Sequence, residues 1–343
     1  MKKIGIVGCG IRGRLYQRAL ASVEGVSVAA MCDPSMGARE KVASQFDGPV
    51  LERYEDLYAL GLDAAIVATP DFAHRDAAVA GAEAGMTLMV EKPLATSLED
   101  ARAIQAAVRA AKVECLVAFE NRWNPHFLRV RQALAEGSLG PVLTMTGVLS
   151  NTYFVPLEML PWASSSSPGW FLMPHLVDLA LWMSDQKPVS VVARGRRGEL
   201  ASRGVDTWDT IHALLSFDGG AIANLQSSWV LPDSLPRIVD FRFETVGSLG
   251  ATVVDMNNQG LLTATKAFAA PWVLPAEVDG EEQSMAAWMA RYFGKRVVTG
   301  EPLCPGVDQG LLVTQIVEAI HASALSGQAQ EITAKANPVH GSC

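Results

Sequence analysis

Gly8-Cys9-Gly10-Ile11-Arg12-Gly13 directly follows one apolar run and opens an amphipathic one. Glycine at the first, third and sixth positions permits a tight turn, close approach of the backbone to a pyrophosphate, and close packing of helix on strand. The phosphates would rest against free N–H groups and the positive end of the helix dipole. Cys9, Ile11 and Arg12 fill the variable positions, with Arg12 in reach of a phosphate. Asp33 stands 20 residues after Gly13, at the end of the next apolar run. A carboxylate there accepts hydrogen bonds from both hydroxyls of a ribose. It also repels a 2′-phosphate, and the first arginine beyond it is Arg39, so the pattern favours NAD over NADP.

Two further groups close apolar runs that read as parallel strands: Ala68-Thr69-Pro70-Asp71-Phe72-Ala73-His74 and Glu91-Lys92-Pro93. The carboxyl ends of such strands are where open α/β sheets bind ligands. Burial and a positive nicotinamide ring would both disfavour the Lys92 ammonium, leaving an amine fit for proton transfer. A lysine that merely closes a strand is the plainer alternative. His175, flanked by Phe171, Leu172, Leu176 and Leu179, reads by itself as a hydrogen-bonded core histidine. Arg122, Trp123, Trp162 and Trp170 are candidates to line a substrate cavity, because aromatic faces pack on sugar C–H faces and guanidinium holds hydroxyls or acids. Asp206, Asp209 and His212 do not share one face of a strand, so no metal is expected.

The elements that must position these groups follow from periodicity. Strands are expected at 3–7, 26–31, 64–68, 88–90 and 115–119, alternating with helices at 11–23, 36–46, 72–84 and 98–111, the pattern of a doubly wound parallel sheet. Ser97 and Asp100 form an acidic variant of the capping box before the last of these helices. All eight tryptophans lie beyond residue 120, and strands then follow one another without intervening helices: 143–149, 189–194, 210–217, 221–228, 239–245 and 251–255. These predict a mainly antiparallel sheet, covered on one face by helices at 125–136, 171–183, 283–293 and 311–326. The serine run Ser164–Ser167 reads either as a mobile loop or as a solvated connector.

The 343 residues suit two domains, divided here as 1–122 and 123–343, with the C-terminal segment able to pack back on the first. A net charge of −8 and 19% charged residues exclude a nucleic-acid or anionic-membrane surface and point to a small-molecule partner. The N-terminal apolar run reaches glycine too early for a secretory segment and no stretch suits a membrane span, so a cytoplasmic setting is expected. Five cysteines without a C-x-x-C pair read as thiols without disulfides, Cys343 exposed.

Taken in order, the glycine turn, Ala68–His74, Glu91-Lys92-Pro93, Val117–Pro125, Gly137-x-x-Gly140 and His175-Leu176-Val177-Asp178 resemble the glucose–fructose oxidoreductase, inositol dehydrogenase and rhizopine-catabolism (Gfo/Idh/MocA) family along nearly the whole chain. The resemblance implies an α/β Rossmann domain plus an α+β domain with a large, mainly antiparallel open-faced sheet, paired through that sheet into homodimers or homotetramers. It implies hydride transfer between NAD and a secondary hydroxyl of a sugar, cyclitol or related molecule. Lys92 becomes the catalytic lysine and His175 lines the substrate pocket. Ala68, Thr69, Pro70, His74, Glu91, Lys92 and Asn121 are assigned to the cofactor, beside the residues of the glycine turn and Asp33. The chain departs from the family at Phe171, where an aspartate usually precedes the histidine by four residues. That departure keeps two other readings open, an NAD-dependent glycosidase or epimerase that recycles its cofactor and a non-catalytic sensor of NAD and sugar.

Overall fold

The computed structural model describes residues 1–261, 263–264, 268–269 and 274–333. They form two compact units. Among the described residues, the first comprises Met1–Trp123 and Pro275–Leu311, and the second those of Asn124–Leu274 together with 312–333.

In the first unit six parallel strands, β1 (Lys2–Val7), β2 (Val26–Cys32), β3 (Val50–Leu51), β4 (Ala64–Val67), β5 (Thr87–Val90) and β6 (Cys115–Val117), lie in the order β3-β2-β1-β4-β5-β6. The order reverses between β1 and β4, which opens a crevice at the carboxyl ends of the strands. β4 is buried throughout, as a strand covered on both faces must be. The connecting helices are α1 (Ile11–Leu20), α2 (Met36–Ala43), α3 (Tyr54–Tyr58), α4 (Arg75–Glu83) and α5 (Leu98–Ala111). The expected cap of α5 is present: Ser97 accepts from the Asp100 N–H at 3.1 Å and donates to its carboxylate at 2.8 Å.

One helix is not where periodicity placed it. The stretch expected at 283–293 as cover for the second sheet is Met285–Thr299, started by a Ser284 cap, and it belongs to the first unit. Met289, Phe293 and Val297 join one core cluster with Tyr16, Leu20 and Val23. An apolar stripe announces that a helix will be buried but not against what. The chain then runs beside β6, where Val117 N–H donates to the Pro305 carbonyl at 2.9 Å and covers that sheet edge.

The second unit is built on a seven-stranded sheet. β7 (Val142–Thr152), β8 (Pro188–Arg197), β9 (Trp208–Phe217), β10 (Ile222–Leu231), β11 (Val239–Gly247) and β12 (Ala251–Asp255) lie in the order β12-β11-β7-β10-β9-β8, with the short strand Gln330–Glu331 beyond β8. Only β7 and β10 among these run parallel, so the mainly antiparallel expectation holds. The helix Met173–Ser184, buried along its length, packs on one face, where Gly147 leaves room for Leu176. Phe127 of the helix Pro125–Ala135 meets Phe241 and Phe243 at 5.5 and 5.9 Å. On the opposite face a register row runs Val192, Leu214, Asn224, Thr146, Glu244, Val253, and all six are exposed within this chain. Among the described residues no helix is long and apolar enough to cross a membrane.

Cys9, Cys32 and Cys115 are buried thiols, with burial pushing each up to about 12. Cys304 is disulfide-bonded, which corrects the expectation of thiols alone. Spacing along the chain does not report the spatial proximity a disulfide needs. The expectation for Cys343 lies outside the described residues.

Candidate active site

The glycine turn is as tight as its spacing requires. Gly8 has φ +104°, and a Cβ there would meet the Ala68 carbonyl oxygen at 2.4 Å. At Gly13 a Cβ would lie 1.9 Å from the Gly8 carbonyl oxygen, whereas at Gly10 it would meet nothing within 4 Å. Gly10 therefore presents bare backbone to open space, at a helix start with no side-chain cap and no acidic residue in its first turn. That is the surface a dinucleotide pyrophosphate needs. Ile11 is exposed beside it. Because the Gly13 contact is with backbone, Gly13→Ala should destabilise the protein by about 3 kcal/mol or more, read as a fall in the denaturant midpoint, with an unchanged midpoint refuting the contact.

Asp33 closes β2 with both oxygens held. Oδ2 accepts from Cys9 N–H and Oδ1 from Ser35 N–H, each at 2.8 Å. Its remaining lone pairs can take ribose hydroxyls. The residues present thus fit NAD, through Gly8, Gly10 and Gly13 for the phosphates and Asp33 for a ribose.

The loops after β4 and β5 are tied by a buried histidine. His74 places Nδ1 2.8 Å from the Pro93 carbonyl and Nε2 3.2 Å from the Thr69 carbonyl, and burial pushes its pKa down. Thr69 and Pro70 are half-buried, and the Thr69 hydroxyl donates to the Ala73 carbonyl at 3.1 Å. Lys92 is buried at 7% exposure. Burial pulls its ammonium below the usual lysine range, against the pull of Glu91 and Glu120 and with help from Arg12. Glu91 is pushed up, chiefly by burial.

Arg12, expected in reach of a phosphate, is paired with Glu120 and lies 3.6 Å from Glu91. Tyr16 donates to the same Glu91 oxygen. Neither Tyr16 nor Glu120 was singled out from the sequence, yet Tyr16 lies four residues after Arg12 on α1 and so shares its face. That spacing is the signal that could have found it. Asn121 and Arg122 are buried in the turn after β6. Trp123 packs on the core of the first unit, 5.2 Å from the ring of Tyr292.

His175 belongs to the second unit, buried in the first turn of the helix Met173–Ser184, with Pro174 beside it and Asp178 one turn on. Phe171 ends a separate short helix, Pro168–Phe171, and joins an aromatic row, 6.0 Å from Trp162 and 5.7 Å from Trp229. Trp170 turns the other way and stacks on His321 at 4.8 Å. The serine run is divided, with Ser164 and Ser165 exposed and its second half held in place. Ser166 and Ser167 are buried, and Ser167 caps the Trp170 N–H at 3.0 Å and bonds His321 at 2.8 Å. Burial holds His321 neutral, at about 4. Asp209 is fully buried, taking Arg196 at 2.6 Å and the N–H groups of Glu199 and Leu200 at 3.0 and 2.8 Å, while Asp206 and His212 are exposed.

Comparison with known proteins decides the family. Residues 2–119 match the oxidoreductase family with an NAD-binding Rossmann fold, and residues 127–253 match the GFO/IDH/MocA C-terminal domain. Inositol 2-dehydrogenase 2 of Saccharopolyspora erythraea is 31% identical over 255 residues, 72% of this chain and 71% of that protein. The chain belongs to the Gfo/Idh/MocA family. This family member is also similar to the scyllo-inositol 2-dehydrogenase (NAD(+)) of Bacillus subtilis, 28% identical over 262 residues covering 74% and 73% of the two chains. Among solved structures, the scyllo-inositol dehydrogenase of Lactobacillus casei with bound NAD(H) and scyllo-inositol shares the fold at TM-score 0.82 and 15% identity, covering 97% of this chain and all of the other. As a Gfo/Idh/MocA member the protein is an NAD-dependent oxidoreductase. Neither the cofactor-recycling reading nor the sensor reading finds support among these relatives.

Proposed function

We propose that the protein oxidises a secondary hydroxyl of a cyclitol or sugar-like molecule, with Lys92 accepting the hydroxyl proton as NAD takes the hydride. One observation carries this reading: a buried lysine whose ammonium is disfavoured, at the carboxyl end of β5 in an NAD-binding sheet. A neutral amine can accept the proton that leaves as the carbonyl forms. When bound, NAD supplies the hydride acceptor. Gly8, Gly10, Gly13 and Asp33 bind it, and His74 fixes the Thr69-Pro70 loop against Pro93.

In the same reading residues 1–122 hold the cofactor and the second unit carries substrate and subunit contacts. His175 is the resemblance's candidate for a second polar group towards the substrate. Trp162 and Phe171, both half-buried and backed by the fully buried Trp229, give the second unit apolar surface suited to sugar C–H faces. The open face of the second sheet, with Val192, Leu214 and Val253 exposed, supports assembly into a homodimer or homotetramer.

The test is NADH formation by the purified protein with NAD and a panel of inositols, aldoses and anhydrosugars. Turnover with a cyclitol or sugar at the expense of NAD is the expected result. NAD binding without hydride transfer to any panel member would overturn the reading.

A further inference from the structure

Three strand ends of the first unit are joined by one network of buried or half-buried charges. Arg12 enters from the first turn of α1, Glu91 follows β5, and Glu120 opens the turn after β6. Arg12 reaches both carboxylates. Glu91 is engaged on both oxygens, Oε1 by the Tyr16 hydroxyl and Oε2 by the Lys92 N–H at 3.1 Å. Glu91 and Glu120 are 5% and 7% exposed, too buried for water to screen them from the neighbouring amine.

We propose that Arg12 and Glu120 are positioning residues that act on the catalytic lysine as opposed charges beside Glu91, setting how readily Lys92 gives up its proton. This role rests on Lys92 being the base. The charged and titratable groups facing Lys92 are Glu91, Glu120, Asp71, Arg12 and His74. With the carboxylates alone, the lysine would sit in a strongly negative pocket and hold its proton too tightly to act as a base. Arg12 offsets that charge. Although burial works against the guanidinium, Glu120, Tyr16 and Glu91 outweigh it and hold Arg12 charged. Glu120 works in the opposite sense, adding negative charge near the amine and holding Arg12 in place. The Tyr16 and Arg12 contacts also fix Glu91, and the lysine follows it directly in the chain.

The two charges therefore have opposite signs of effect, which a merely structural role would not produce. The experiment follows the ionisation of Lys92 by NMR of carbon-labelled lysine in the full-length, cofactor-free protein, assigning the resonance by its absence in Lys92→Ala. The pH profile of kcat/KM is recorded in parallel. Arg12→Met is expected to move the Lys92 ionisation, and with it the acid limb of the profile, towards alkaline pH by about one pH unit. Glu120→Gln is expected to move both towards acid by a similar amount, and the double variant to return near the parent. Shifts in the same direction, or none in either single variant, overturn the proposal. Should Arg12→Met fail to fold, the isosteric Glu120→Gln decides alone, an acid shift supporting the proposal and an unmoved ionisation overturning it. The resonance is read without turnover, so the two ideas can fail separately. Full activity in Lys92→Ala would remove the base assignment, whereas an unmoved resonance would remove only the role of the pair.

Discussion

Lys92→Ala is expected to lower kcat by on the order of 10²–10⁴-fold, the usual range for removing a general acid or base, while leaving NAD binding within a few-fold of the parent. The reason lies in how the chain divides the two tasks. The glycine turn and Asp33 belong to β1 and β2, with Asp33 fixed by the N–H groups of Cys9 and Ser35, and none of those contacts uses the lysine. Lys92 stands at the end of β5, where burial favours the neutral amine. Its loss removes the proton acceptor without dismantling the cradle. Lys92→Arg should be nearly as inactive, because guanidinium keeps its proton at every pH the enzyme meets. Steady-state kinetics and a separate NAD titration check both halves, and a variant retaining more than a tenth of the parent kcat would contradict the assignment.

The first unit was legible because its signals are local. The glycine spacing, Asp33 at its fixed distance and the Ser97–Asp100 cap all act within a few turns of one another, and each stands where spacing put it. The mainly antiparallel second sheet was legible from alternation, and the separation of Asp209 from His212 came from the same two-residue period. What spacing could not show were partners brought in from far along the chain. Arg12 stands among the glycines of the turn, but its partner Glu120 is 108 positions away. Nor could spacing show that His321 stacks on Trp170 or that Tyr292 packs against Trp123. Phe171 was visible as a departure from the family, but its consequence, an aromatic row with Trp162 and Trp229 in place of a carboxylate, depends on two segments that nothing local connects.

Asp33→Ser is expected to turn the cofactor preference, lowering kcat/KM for NAD on the order of tenfold to a hundredfold and raising it for NADP. The loss for NAD follows from replacing a charged acceptor of the ribose hydroxyls by a neutral one, about 1.5–3 kcal/mol in all. The gain for NADP follows from removing a fixed anion where a 2′-phosphate must sit. A cation is already at that strand end, since Arg39 donates to the carbonyls of Asp33 and Pro34 at 2.8 and 2.9 Å. Its ion pair with Glu52, 3.4 Å away, is to a carboxylate 67% exposed, a contact that solvent screens and a phosphate can displace. Asp33→Asn separates the two effects, because it keeps the shape of the side chain and removes its charge. If repulsion is what excludes NADP, Asn and Ser should both admit it. If NADP remains unused in both while NAD use falls, the exclusion resides in the shape of the turn after β2, and Arg39 is held too firmly by the backbone to receive a phosphate.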